Sequence, residues 1–224
     1  MRFYFKRFRH LILGVATCLA LVGLYGGFLD AQPIQASQPA ARLSSPTGST
    51  IGSTASATLS SEFSLVKSVQ SNVQSAETRL LAQGMQPGAT YVALMSEDNV
   101  YPNSPKTFAR GTVGAVVSGS RMIVRGSFKT LTSAPRDYAT DPVNPPNTNI
   151  TSAFHIHQGT PMENGPFQYA LDVMLDETGR GGDAMGEYTL TSEQLQALSD
   201  GRLYVDIHTT KNRGGELRGI LMPY

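Results

Sequence analysis

Cysteine is almost missing from this chain: one residue, Cys18, in 224. It sits in an apolar stretch near the N-terminus, so no intramolecular disulfide forms and no thiolate-built zinc site is available. Export without disulfides suits a bacterial setting better than a small secreted eukaryotic domain. Excess charge is missing too. Lys and Arg total 18 against 17 Asp and Glu, and Arg2, Lys6, Arg7 and Arg9 crowd the first ten positions. Without those four and Asp30, 14 basic and 16 acidic side chains remain. No basic stripe is left to neutralise a phosphate backbone, so no nucleic-acid partner is expected. Also lacking are a Ser/His/Asp or Cys/His constellation, a paired-carboxylate signature and a phosphate-binding glycine loop. Histidine is scarce, with four in all.

What is present begins with an address. MRFYFKRFRH is a positively charged lead, and Leu11 to Leu29 is an uncharged apolar run. Together they read as an export signal over 1–36, cleaved before Ser37 or retained as an N-terminal membrane anchor through residues 11–29. The basic flank keeps the N-terminus cytoplasmic either way, which sends the remainder to the periplasm, the cell surface or the medium. Contact with a membrane is expected only through this segment.

From Ala31 to Ser60 the chain is Gln, Pro, Ala, Ser, Thr and Gly with hardly any charge. Such a composition buries too little apolar surface to offset its ordering entropy, so residues 37–60 are expected to be a flexible tether. Over 61–84, Phe63, Val66, Val69, Val73, Ala76 and Leu80 recur at spacings of three and four, which predicts an amphipathic helix ended by Gly84. The texture then changes for 85–224. Short β-type runs at Thr90–Met95, Thr107–Val117, Arg121–Thr130, Ala153–His157, Phe167–Leu175, Ala184–Thr189, Leu203–His208 and Gly215–Leu221 alternate with Gly, Pro, Asn and Asp. That spacing predicts an all-β antiparallel sandwich or barrel. Ser133 to Asn149 carries four prolines and is expected as a surface excursion, followed by an Asn149-Ile150-Thr151 sequon. Thr191 with Gln194 forms a capping box for one short helix, which Gly201 closes.

FHIHQG, residues 154–159, places two histidines one residue apart in an apolar run. Alternate strand residues share a face, so His155 and His157 point one way and Phe154 and Ile156 the other. In LYVDIHTT the alternation sets Tyr204, Asp206 and His208 opposite Leu203, Val205 and Ile207. If the two strands are neighbours, His155, His157, His208 and Asp206 converge as donors for one zinc or copper ion. The plain alternative is that the imidazoles hydrogen-bond to loop carbonyls, with Gly159 marking the turn they anchor.

Three stretches resemble the chordin-type (CHRD) domain family: AFHIHQGTPMENGPFQYALDV, then GEYTLTSEQLQALSDGRLYVDIHTTKNRGGELRGIL, and earlier YVALMSEDNVYPNSPKTFARGTVGAVV. The likeness spans about Thr90 to Leu221. It implies an immunoglobulin-like β-sandwich, distantly similar to copper/zinc superoxide dismutase, in a family that includes extracellular modules and stand-alone exported proteins. The sequence departs from the family pattern in the Ser96–Asn99 opening, in the Pro-rich insertion, and at Asp206, where the family usually has Asn. Among the motif residues, Gly159, Gly165, Gly214, Gly215 and Gly219 suit tight backbone passages. Glu216 and Arg218 suit a polar corner, paired with each other or with charges on the next strand.

Two functions follow as expectations. One is an exported non-catalytic module that binds an envelope or extracellular protein, or a second copy of itself through sheet edges. The other is a mononuclear copper or zinc protein using His155, His157 and His208, with Asp206 as a further donor. A dismutase-type dinuclear site needs more histidines than the three outside the address segment.

Overall fold

The computed structural model describes residues 52–224, with side chains from Glu62 onward. The expected export segment, its apolar run and the first part of the tether lie outside the described residues. Among the described residues no helix is long and apolar enough to cross a membrane.

Helix α1 runs from Gly52 to Ala82, so it begins inside the stretch expected to be tether rather than at Ser61. The reason is compositional: Pro46 is the last proline before it, and the Ser/Thr/Ala run after Gly52 contains neither proline nor glycine. Gly84, at φ +74, ends it as expected. Val69, Val73, Ala76 and Leu80 are buried, whereas Phe63 is 62% exposed and lies off the packed stripe.

Ten strands follow: β1 (Ala89–Met95), β2 (Arg110–Ser118), β3 (Arg121–Lys129), β4 (Phe154–Gln158), β5 (Phe167–Ala170), β6 (Asp172–Leu175), β7 (Gly182–Thr189), β8 (Leu203–Ile207), β9 (Leu217–Ile220) and β10 (Met222–Pro223). A short helix α2, Ser192–Ser199, joins β7 to β8 and carries the expected capping box at Thr191 and Gln194. The strands form two antiparallel sheets, one ordered β10-β1-β2-β3-β7-β6 and the other β5-β4-β8-β9. The expected all-β sandwich preceded by a helix is what the chain builds.

Between the sheets lies one core. Ala93, Met95, Val113, Ala115, Met122, Val124 and Phe128 face Phe154, Ile156, Leu203, Val205, Ile207 and Leu217. Helix α1 packs on the outer side of the larger sheet, against β2 and β3. That is why β2 is buried at seven consecutive positions and does not alternate: both of its faces are covered. Under the helix, Ser68 Oγ lies 2.6 Å from Thr112 Oγ1 and 2.7 Å from Ser127 Oγ, and Asn72 Nδ2 donates to the Thr112 carbonyl at 3.1 Å.

Strand bounds differ from expectation along the chain, most clearly in the second, fifth and last of the expected runs. Thr107 precedes β2 because its hydroxyl is committed elsewhere, accepting the Ala109 amide and donating to Glu216. The run Phe167–Leu175 is two strands in different sheets, and fully buried Leu171 marks the crossing. At the C-terminus Leu217 and Leu221 are buried and Ile220 only half-buried, since adjacent residues take opposite faces.

Candidate metal centre

β4 and β8 are antiparallel neighbours, with His155 opposite Asp206 and His157 opposite Tyr204. Directly opposed residues share a face. The aliphatic residues of both strands enter the core, so the two histidines, Tyr204 and Asp206 are left on the outer face of the smaller sheet. His208, one residue beyond β8, continues the alternation and reaches the same place. The Pro-rich excursion roofs this face: the Tyr138 ring lies 5.2 Å from the His155 ring and 6.4 Å from that of His208. Phe167 closes the side at 5.4 Å from His155.

One nitrogen of each imidazole is bound to a main-chain carbonyl. His155 Nε2 meets the Ser152 oxygen at 2.6 Å, His157 Nδ1 meets that of Gly165 at 3.0 Å, and His208 Nδ1 meets that of Arg213 at 2.9 Å. A carbonyl only accepts, so each of those nitrogens carries the hydrogen. The three opposite nitrogens all face one oxygen, Asp206 Oδ1: His208 Nε2 at 3.1 Å, His157 Nε2 at 3.3 Å and His155 Nδ1 at 4.0 Å. His157 Nε2 is buried without a hydrogen-bond partner, close to the carboxylate but out of line for a bond.

Electrostatics sharpen the arrangement. Burial pushes His155 down to about 3, and the neighbouring His208 adds to it. Burial also opposes charge on Asp206, yet His208 and His157 beside it hold the carboxyl well below its usual range. His208 moves upward, because Asp206 more than offsets its own desolvation. A hydrogen bond of 3.1 Å joins His208 Nε2 to Asp206 Oδ1, whereas the inner nitrogens of His155 and His157 approach the same oxygen without making one.

The donor set suits a metal. Four ligand atoms, one from each of these residues, lie within 4.8 Å of one another. Tetrahedral zinc with bonds of 2.0–2.1 Å separates its donors by roughly 3.3 Å. The His157 and His208 spacings to Asp206 match that figure and the His155 spacing is longer. Carbonyl acceptors behind metal-facing imidazoles are the usual means of fixing tautomer and ring orientation.

Of the motif residues, Arg218, Gly159 and Gly165 border this centre, whereas Glu216, Gly215 and Gly219 lie against other parts of the fold. Arg218, 2% exposed, reaches Asp206 Oδ2 at 3.4 Å through Nη2. Glu216 does not pair with it; its carboxylate sits among Thr107, Thr132, Thr209 and Asn212. Gly159 and Gly165 let the turn after β4 close on itself, since a Cβ on Gly165 would lie 1.9 Å from the Gln158 oxygen. Gly219 abuts Ala93 and Leu94 of β1, Gly215 takes φ +123, and Gly214 faces open space. Sequence reasoning missed Tyr138, whose only signal is a lone aromatic in a Pro-rich stretch, and the carbonyls of Ser152, Gly165 and Arg213, which leave none.

Fold and site together define an antiparallel sandwich with its polar centre on an outer sheet face rather than between the sheets. The chain belongs to the CHRD domain family, whose profile matches residues 91–221. That match takes in every strand-borne residue of the centre and leaves α1 outside it. No curated protein matches the chain.

Proposed function

We propose that this chain is an exported binding or structural module of the CHRD domain family that holds one zinc or copper ion on His155, His157, His208 and Asp206. The observation that carries the reading is the three imidazole nitrogens turned toward a single carboxylate oxygen, one of them buried and unpartnered. Hydrogen bonding accounts for the carbonyl side of each ring and for the inner nitrogen of His208, which lies 3.1 Å from Asp206 Oδ1, and leaves the inner nitrogens of His155 and His157 unexplained. Three protons there would gather three positive charges beside Arg218. No protons would set lone pairs against an anion. One divalent cation resolves both.

Four protein donors make a closed set, the pattern of structural rather than catalytic zinc. Bound there, the ion supplies a cross-link between β4 and β8. Export is supported by the basic lead and apolar run at the N-terminus. Metal analysis of the full chain purified without a tag tests the reading. One equivalent of zinc or copper is expected, lost in His155→Ala that keeps its β-type circular dichroism. Native protein that stays metal-free in excess copper and zinc ends the proposal.

A further inference from the structure

We infer that Arg218 is a positioning residue for the metal site: it holds the Asp206 carboxylate so that Oδ1 alone is presented to the three imidazoles. The inference rests on the metal reading and adds a residue that donates nothing to the ion. Arg218 lies on β9, directly opposite Asp206 of β8, and both side chains are 2% exposed. A buried guanidinium whose task was to neutralise a buried carboxylate would clasp both oxygens with its fork. Here the fork is spent differently. Nη1 donates to the Glu163 carbonyl at 3.0 Å, and Nη2 donates to Asn164 Oδ1 at 2.8 Å. Only Nη2 reaches the carboxylate, at Oδ2 and 3.4 Å, and Nε is buried with no partner. The result is a carboxylate with one oxygen engaged from behind and the other left for the imidazoles.

The same residue fixes His157. Its guanidinium lies over the Tyr204 ring, 4.0 Å from the centroid, and that ring stacks on His157 at 5.2 Å and 5°. Tyr204 Oη accepts the Gly165 amide at 2.9 Å, and the Gly165 carbonyl receives His157 Nδ1–H. The segment 163–165 therefore connects Arg218, Tyr204 and His157. Removing the guanidinium frees Asp206 to turn and bind through both oxygens, and it slackens the wall behind His157.

Arg218→Met, which keeps the length without the charge, tests this beside Arg218→Lys in the full chain. Affinity is read by chelator competition with zinc, and ligand geometry by the visible absorption of the cobalt(II) form. Outer-shell partners of metal ligands are commonly worth 10–100-fold in affinity. Arg218→Met should lose about that much, with weaker cobalt(II) absorption as a fifth donor enters, and Arg218→Lys should recover part of both. If Arg218→Met does not fold, Arg218→Lys carries the test, with a several-fold loss and an altered spectrum expected. A purely structural Arg218 would lower the melting temperature of apo and metal-loaded protein equally and leave affinity and spectrum unchanged, which overturns the inference. Wild-type protein that takes up none of zinc, cobalt and copper overturns the metal reading itself.

Discussion

Glu216 shows what a single buried charge contributes when its partners are neutral. The residue has no exposed surface, and its carboxylate accepts bonds from the Thr107, Thr132 and Thr209 hydroxyls, the Thr132 amide and the Asn212 side chain at 2.7–3.0 Å. Burial alone would raise its pKa, but the bonds led by Thr107 and the Thr132 amide outweigh it and hold the carboxyl below its ordinary range. A lowered folded-state pKa adds stability above the unfolded value, near 4.3, and that stability is lost as pH falls through the folded value. Glu216→Gln turns an amide donor toward a ring of donors. It should cost about 3 kcal/mol at pH 7, in line with the loss of charged hydrogen bonds. For a domain of this size that lowers the melting temperature by roughly 6–12 °C. The gap from wild type should close as the pH is taken below about 4. Equal melting at pH 7 would remove Glu216 from the stabilising set.

At the level of elements, α1 is attached to the sandwich by a notch. A Cβ on Gly114, in the middle of β2, would lie 2.6 Å from the Val73 nitrogen and 2.9 Å from the Asn72 carbonyl carbon. Those are helix backbone atoms, which cannot rotate away. Gly114→Ala should therefore lift the helix and cost about 2 kcal/mol, the usual scale of overpacking, whereas Gly214→Ala, facing open space, serves as a nearly neutral control. Comparable melting of the two variants would show that the helix tolerates displacement. This contact also marks the limit of what was legible. The sheet strands and the outward alternation of His155, His157, Asp206 and His208 follow from period-two patterning, because each strand has one face in the core, and the capping box follows from the three-residue spacing of Thr191 and Gln194. β2 defeats that pattern, since its second face is covered by a helix distant in sequence. The sheet switch at Leu171 was hidden because a continuous β-type run carries no mark of which sheet each half joins. Tyr138 was hidden because a proline-rich segment reveals that it departs from the sheet but not where it returns.

At the scale of the molecule, the described residues carry two coverings of different kind, one on each outer face of the sandwich. α1 is held on the larger sheet by apolar packing, by the Ser68–Asn72–Thr112–Ser127 cluster and by Arg79, whose Nε donates to Glu187 at 2.5 Å. The smaller sheet is covered by loops, and each imidazole of the proposed centre ties down a different one: His155 the end of the Pro-rich segment at Ser152, His157 the turn at Gly165, His208 the turn at Arg213. The roof has its own brace, since Arg136 lies 4.5 Å over the Tyr138 ring and pairs with Asp141 at 2.9 Å. A cation drawing the three rings together would order all three loops at once and leave α1 untouched. Zinc at a hundredfold excess over its dissociation constant should add about 2.7 kcal/mol through mass action. Amide exchange should slow at 133–152, 159–166 and 209–215 with no change in 62–82. Protection spread evenly over helix and loops would mean that the metal stabilises the fold as a whole and is not a clasp for the loop-covered face.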